Sequence, residues 1–150
     1  MDTNVAFLAS DVGRLFRKRF EFATRDLAVT GPQWRALVRI SEHPGINQGA
    51  LAALLEVEAI TVGRMIDRLE RLGFVERRPD PADRRVWLLH LTGAAAPVLD
   101  ALRSRAATVI AESLDVFTPE EQSTLVSLLQ RMRERLLIPG SELVEVPENG

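Results

Sequence analysis

Apolar residues recur at spacings of three and four along most of the chain, a period typical of amphipathic α-helices. The first such stripe runs from about Val5 to Leu27 and predicts one long helix whose other faces carry Arg and Lys. A second helix should begin in a capping box, with Thr30 as N-cap and the Gln33 side chain reaching back to it. It should stop before His43, because the residue that precedes Pro44 is biased away from helical backbone.

Two short helices in series come next, joined by a tight turn. Asn47 is a good N-cap for a helix over 48–55, because its side-chain oxygen can accept a backbone N–H of the first turn. The residues expected to face inward on that helix are Ala50, Leu51 and Leu54. A further helix covers 60–72 and ends with Gly73 in the C′ position. Two short helices linked in this way predict a helix-turn-helix.

A β-hairpin is predicted directly after the helix-turn-helix. Apolar-rich runs over 74–77 and 86–91 flank the polar stretch 78–85, in which two prolines mark a projecting loop. A helix-turn-helix followed by a β-hairpin is a winged helix. The predicted fold class is therefore mainly α with a small β-hairpin, a winged helix-turn-helix module flanked by N- and C-terminal helices.

Two long helices follow the hairpin. Thr92 should cap the first, whose apolar residues stay in register from Val98 to Leu114. The second should start at Thr118, because Pro119 suits the first helical position and Glu121 completes a capping box. A flexible acidic tail is expected over 139–150.

The apolar stripes of the first, fifth and sixth helices are too extensive for so small a module to cover. A second copy of the chain is the economical partner, so we expect a homodimer. The expected organisation is one domain, with the winged helix-turn-helix at 30–92, a helical dimerisation region at 5–29 and 93–138, and the tail at 139–150.

Composition narrows the classes of function. The 150 residues include no cysteine, which excludes disulfides and a thiolate nucleophile. The two histidines share no metal-ligand spacing, and the chain has neither a glycine-rich phosphate loop nor any tyrosine. We therefore expect that the protein is not an enzyme and that it binds no metal or cofactor. No apolar run could span a bilayer and the start has no basic n-region, which predicts a cytoplasmic protein without a membrane partner.

Charge leaves nucleic-acid binding open. The net charge is −2, but 18 of the 19 basic residues are Arg, which can contact phosphate and guanine bidentately. Codon bias in a GC-rich genome is the alternative explanation. Residues 58–85 contain seven Arg and six acidic residues, so only their arrangement in space could make this segment basic.

One resemblance unites these elements. The run from Asp83 to Thr92 fits the wing signature of the MarR family of bacterial transcription regulators, which is Asp-x-Arg, five residues, then Leu-Thr. Residues 61–78 look like the family's recognition helix and first wing strand, and the resemblance covers about 5–138. It implies an obligate homodimer that binds a pseudo-palindromic DNA operator, most simply as a repressor, and releases it on binding a small molecule. The chain departs from the family by lacking Ser or Thr before the recognition helix and by having Ala95 at a usual glycine position.

The recognition helix should expose one polar face. The N-terminal half of such a helix approaches base edges most closely, so we expect Thr61 and Arg64 to contact bases. Ile60 could contact a thymine methyl group, and Arg68 a phosphate. The alternative is an ordinary solvated face in which Asp67 pairs with neighbouring arginines at i−3 and i+4.

The wing loop ends in Arg84 and Arg85. Arg85 matches the family arginine that enters the minor groove, where such a side chain reads groove width and negative potential. Asp83 should hold that guanidinium by a charge-assisted hydrogen bond. Arg84 is assigned to the DNA-binding set as well, with simple exposure as its equal alternative.

The resemblance places an effector site where the dimer helices meet the winged module. Phe16, Phe20 and Trp34 could supply an aromatic wall there, with Arg17 or Arg39 as the cation for a small aromatic or anionic effector. Aromatic residues at this spacing are also typical of plain core. The absence of cysteine excludes a thiol-based peroxide sensor.

A rival function is a winged-helix protein–protein adaptor, because the fold alone does not imply DNA binding. Arg64, Arg68 and Arg85 on one side of the dimer would favour DNA. An adaptor would more often present apolar residues there.

Overall fold

A computed structural model describes residues 4–139. The chain divides into two compact units, Met1–Val109 and Ile110–Gly150. Within the described residues the helices are α1 Val5–Ala23, α2 Gly31–Glu42, α3 Gln48–Leu55, α4 Ala59–Arg71, α5 Ala95–Leu114 and α6 Pro119–Leu137. The strands are β1 Ile46–Asn47, β2 Val75–Pro79 and β3 Trp87–Leu91, which form an antiparallel sheet in the order β1-β3-β2. The mainly helical winged-helix fold predicted from the sequence is confirmed.

Three helix starts follow their predicted caps. The side-chain oxygen of Gln33 accepts a hydrogen bond from the backbone N–H of Thr30 at 2.9 Å, and Asn47 accepts one from the first turn of α3 at 2.7 Å. Thr118 and Glu121 each accept from the other's backbone N–H, at 3.2 and 3.1 Å. Caps are local contacts within four residues, which is why the sequence alone locates them.

The predicted end of α1 is wrong by four residues. The helix ends at Ala23 rather than Leu27, and Thr24 is its C-cap. The Thr24 hydroxyl and N–H both donate to the carbonyl of Phe20, at 2.7 and 3.0 Å. A contact from α5 also holds this point, since Arg105 donates to the Ala23 carbonyl at 2.8 Å and forms an ion pair with Asp26.

The predicted start of α5 is also wrong. The helix begins at Ala95, and the Thr92 hydroxyl donates to the carbonyl of Gly73 instead of capping α5. The backbone N–H of Thr92 donates to the Phe74 carbonyl at 3.0 Å. Thr92 therefore joins the end of the wing to the end of α4.

The inward face of α3 differs from the prediction for two of three residues. Leu51 is fully buried as expected, but Ala50 is exposed and Leu54 is 42% exposed. Ala52 is buried instead, and Leu55 packs against the core. The inward face is rotated because α3 contacts both α2 and α4, so two neighbours define which residues are covered.

The β-hairpin is present, with a third strand that the sequence analysis missed. The short strand β1 pairs with β3 through Ile46 opposite Leu89. Two residues are too few to show an alternating pattern, so β1 carries no sequence signal. The predicted runs 74–77 and 86–91 differ from β2 and β3 by one or two residues at their ends, apart from an exact end at Leu91.

The core of the first unit lies between the helices of the module and the sheet. Its fully buried side chains come from α2, α3, α4, β2 and β3: Leu37, Ile40, Leu51, Val62, Ile66, Leu69, Val75 and Leu89. Leu99 and Leu102 of α5 join the same cluster. Each buried side chain contributes about 1.5–3 kcal/mol, so this core fixes α4 relative to the hairpin.

Two helices expose much of their apolar surface. On α1 the exposed side chains are Val5, Phe7, Leu8, Val12, Leu15 and Phe22, and on α6 they are Val126, Leu128, Leu129, Met132, Leu136 and Leu137. None of the helices within 4–139 is long and apolar enough to cross a membrane. The predicted flexible tail, 139–150, lies outside the described residues except for Pro139.

Candidate nucleic-acid interface

Helix α4 has the two faces that the sequence predicts. Val62, Ile66 and Leu69 are buried in the module core, and Met65 is partly buried against it. The proposed contact residues lie on the opposite face and are all exposed: Ile60, Thr61, Arg64 and Arg68. Ile60 is 66% exposed at the N-terminal end and is not among the described residues that pack against the core.

The two ends of α4 are formed differently. Glu58 is the N-cap, and its side chain makes no capping hydrogen bond, in keeping with the missing Ser or Thr. At the other end Gly73 adopts a φ of 78°, a left-handed conformation that glycine takes without steric cost. That residue lets the chain leave α4 and enter β2 two residues later.

The carboxylates of α4 are bound by an arginine from the wing. Arg77 of β2 forms ion pairs with Asp67 at 2.7 Å and with Glu70 at 3.4 Å. The predicted alternative, in which Asp67 pairs with Arg64 and Arg71, is wrong, because Asp67 has a partner on another element. Arg77 was missed, although alternation along β2 places it on the same inward face as Val75.

This pairing separates the charges of a nearly neutral segment. Within residues 4–139, Arg64, Arg68 and Arg71 form no ion pair, while both acidic residues of α4 are paired with Arg77. The outward face of α4 is therefore positively charged despite the balanced composition of 58–85. Exposed guanidinium groups on a helix face are suited to phosphates and to base edges.

The wing tip holds the predicted Asp83–Arg85 pair. The Arg85 guanidinium donates to both Asp83 oxygens, from Nε at 3.0 Å and from Nη2 at 3.1 Å, and the Arg85 N–H donates at 3.1 Å. The side chain of Arg85 is nevertheless 90% exposed. The hydrogen bond from Arg85 lowers the pKa of Asp83 and raises the pKa of Arg85. Arg84 is exposed beside them and has no ion pair within the part of the chain that the structure describes.

The aromatic residues assigned to an effector site lie next to one another. Phe16 stacks on Phe20 at 5.7 Å between ring centroids, and Phe20 meets Trp34 edge to face at 5.9 Å. Of the two candidate cations, Arg39 forms an ion pair with Glu42 at 3.0 Å. Arg17 is exposed. Neither cation is placed against the rings by a contact that the structure describes.

A different arginine lies against this aromatic group. The guanidinium carbon of Arg35 is 5.8 Å from the centroid of the Trp34 ring. One Arg35 terminal nitrogen and the Trp34 indole nitrogen are buried, and neither makes a hydrogen bond within residues 4–139. Arg35 could not be picked out from the sequence, since nothing in the helical pattern separates its direction from that of other arginines on α2. Across the same residues no three His, Asp or Glu side chains gather closely enough to hold a metal ion.

Several known proteins resemble this chain. The model of the MarR family matches residues 29–87. The HTH-type transcriptional regulator YybA of Bacillus subtilis is 36% identical over 112 residues, which are 75% of this chain and 75% of that protein. The HTH-type transcriptional repressor NicR of Pseudomonas putida is 27% identical over 139 residues, 88% of each chain. A solved structure of a MarR mutant from E. coli complexed with operator DNA matches with a TM-score of 0.75 at 27% identity, covering 85% of this chain and 92% of that one.

Proposed function

We propose that this chain, which belongs to the MarR family, binds a pseudo-palindromic operator as a homodimer. As a member of that family it is a DNA-binding transcriptional regulator and not an enzyme. The observation that carries this proposal is the charge separation on α4. Three arginines of that helix have no ion pair within 4–139, and its two carboxylates are occupied by Arg77. The relative solved with operator DNA supports the same mode of binding.

In this proposal α4 enters the major groove. Thr61 and Arg64 contact base edges because they lie in the first two turns, where a recognition helix comes closest to the bases. Ile60 meets a thymine methyl group, which accounts for its exposure. Arg68 lies one turn further on and contacts a phosphate.

The wing would reach the adjacent minor groove. Arg85 enters it with Asp83 setting the direction of the guanidinium, and Arg84 adds positive charge at the same tip. An arginine in a narrow minor groove reads the shape and potential of the DNA rather than one base. The pair therefore contributes affinity at sites of suitable groove width.

We assign DNA binding to residues 30–92 and dimerisation to 5–29 and 93–138. The exposed apolar side chains of α1 and α6 support the second assignment, because a stable monomer rarely leaves so many large apolar residues uncovered. A dimer would bring two copies of α4 to successive major grooves, about 34–36 Å apart.

Release would follow from binding of a small aromatic or anionic effector near Phe16, Phe20 and Trp34, with Arg17 or Arg39 as its cation. Arg35 is a third candidate, because its guanidinium lies near Trp34 and one of its nitrogens is buried without a hydrogen bond to any residue that the structure describes. A ligand that prefers a dimer with wrongly spaced recognition helices lowers operator affinity by population shift. Repression is the proposed output, in line with the relative NicR, which is a transcriptional repressor.

The test is a fluorescence-anisotropy titration against DNA from upstream of the protein's own gene and against a scrambled duplex of equal length. At about 150 mM salt a sequence-specific regulator should prefer the native fragment by about a thousandfold. Arg64→Ala should lower that preference by about tenfold or more, because it removes a base contact from each half-site. Arg103→Ala removes the same charge from an exposed position on α5, where Arg103 pairs with Asp100 at 4.0 Å, and serves as the control once sedimentation shows the same assembly as wild type.

Equal, weak binding to both duplexes, followed by no enrichment in a genome-wide selection for bound DNA, would favour the adaptor instead. Micromolar protein that sediments as a monomer would contradict the dimer.

A further inference from the structure

The inner face of the wing hairpin changes character from root to tip. Opposed residues of β2 and β3 share a face, so the face that includes buried Val75 and partly buried Leu91 continues through Arg77 and Leu89 to Pro79 and Trp87. Val75 and Leu89 are buried, whereas Trp87 is 44% exposed. Arg77 lies at the boundary, and only 15% of its side chain is exposed. A guanidinium this deep requires partners.

Arg77 has partners on two helices. Its Nε donates to the side-chain oxygen of Gln48 on α3 at 2.8 Å, and Nη2 donates to the backbone carbonyl of Gly63 on α4 at 3.1 Å. Nη1 pairs with Asp67 and Glu70, one turn further along α4. The other Glu70 oxygen accepts from the Arg77 backbone N–H at 3.3 Å. One side chain thus connects the first wing strand to both helices of the helix-turn-helix.

From these contacts we propose that Arg77 is a positioning residue for DNA recognition. It fixes the direction of α4 relative to the wing, and it keeps Asp67 and Glu70 away from the arginines that meet DNA. The inference rests on the proposed function, because it concerns the same interface. Arg77 itself contacts protein groups rather than the operator.

The second role of Arg77, keeping Asp67 and Glu70 away from the arginines that meet DNA, follows from helix geometry. Asp67 lies three residues after Arg64 and four before Arg71, and side chains at those spacings are neighbours on a helix. Without Arg77 the Asp67 carboxylate would be free to pair with either arginine. Arg64 so paired is lost to its base contact, and the two carboxylates left without Arg77 make this face of α4 less positive, so fewer counterions are released on binding.

The first role of Arg77, fixing the direction of α4 relative to the wing, depends on the shape of the guanidinium. Its fork donates to Gln48, Gly63 and the carboxylates in different directions at once, whereas a lysine ammonium is a compact charge on a flexible stem. Arg77→Lys should therefore keep the carboxylates neutralised while loosening the angle between α4 and the wing.

The experiment compares wild type, Arg77→Lys, Arg77→Met and the triple variant Arg77→Met/Asp67→Asn/Glu70→Gln. Each is titrated by anisotropy with operator and scrambled DNA between about 50 and 200 mM salt. Circular dichroism on the same samples verifies that each variant is folded at the temperature used.

Arg77→Met should lose about tenfold or more in operator affinity, and its log–log salt slope should fall by about 1. The triple variant should recover the salt slope and the affinity for scrambled DNA, because the carboxylates are gone. It should not recover the preference for operator, because the ties to Gln48 and Gly63 are still missing. Arg77→Lys should keep the salt slope and lose part of the preference.

A folded Arg77→Met with unchanged slope and unchanged preference would overturn the inference while leaving the proposed function intact. Wild type without any operator preference would instead remove the proposed function. If Arg77→Met does not fold, Gln48→Ala tests the positioning role alone, since it removes one neutral contact. A lowered preference at constant salt slope supports the role, and an unchanged preference refutes it.

Discussion

The wing hairpin carries an arginine–aspartate pair at its root and another at its tip, and the two are built in opposite ways. At the root, Arg77 is mostly buried and joins β2 to Gln48 on α3 and to Gly63 and Asp67 on α4. At the tip, Arg85 is almost fully exposed, and its one side-chain partner among residues 4–139 is Asp83, two residues away. The same chemical pair therefore holds elements together at one end and orients a single side chain at the other.

Stability should separate the two ends most strongly. Arg77→Met should lower the free energy of unfolding by about 2 kcal/mol, because it removes charge-assisted hydrogen bonds between elements. The same change at the tip, Arg85→Met, should leave the free energy of unfolding close to that of wild type, because the side chain is 90% exposed. Urea unfolding followed by circular dichroism measures both. Equal stability of the two variants would erase the contrast.

Substitution of Arg85 should lower operator affinity more than substitution of the neighbouring Arg84. Arg85→Ala should weaken operator binding by about tenfold with little change in the unfolding temperature, because within residues 4–139 this exposed side chain has no ion pair other than the one with Asp83. Arg84→Ala is the matched control and should cost less, since no partner within 4–139 fixes its direction. Anisotropy at one salt concentration is sufficient. Wild-type affinity in Arg85→Ala would remove that residue from the interface.

The two arginines of α4 that are proposed to contact DNA should affect operator binding in different ways when they are substituted. Arg64→Ala should relax the preference at one base pair in each half-site of the operator, because Arg64 lies near the base edges. Arg68→Ala should weaken binding to all sequences alike and reduce the salt slope by about 1 for each of the two half-sites, as expected of a phosphate contact. A panel of single-base operator variants titrated at several salt concentrations tests both. Identical profiles for the two variants would contradict these roles.

The smallest effect concerns protonation at the tip. Because the hydrogen bond from Arg85 lowers the folded-state pKa of Asp83, the pair stabilises the fold above the unfolded pKa and loses this contribution as the pH falls through the folded value. The change thus lies below about pH 4. NMR titration of the Asp83 carboxyl should show a pKa below the ordinary value in wild type, rising towards it in Arg85→Ala. An equal pKa in both would mean that the pair does not form in solution.

The sequence predicts local contacts and fails where distant elements decide. Asn47 and Thr118 mark helix starts through contacts within three residues, and Asp83 and Arg85 are two residues apart, so their pairing could be read from the chain. The partner of Asp67 could not, because Arg77 is ten residues away on a strand whose face depends on the packed sheet. The inward face of α3 was misassigned for the same reason.

The hydrogen bonds of Thr92 bear on how much the wing can vary between such regulators. Its hydroxyl and its N–H bind Gly73 and Phe74, so the segment from 73 to 92 leaves and rejoins the module at one point. A loop closed at its base can change in length or sequence at the far end without shifting the chain on either side. We therefore expect that the loop between Pro79 and Trp87 can be replaced by the corresponding loop of another regulator while the rest of the protein keeps its shape.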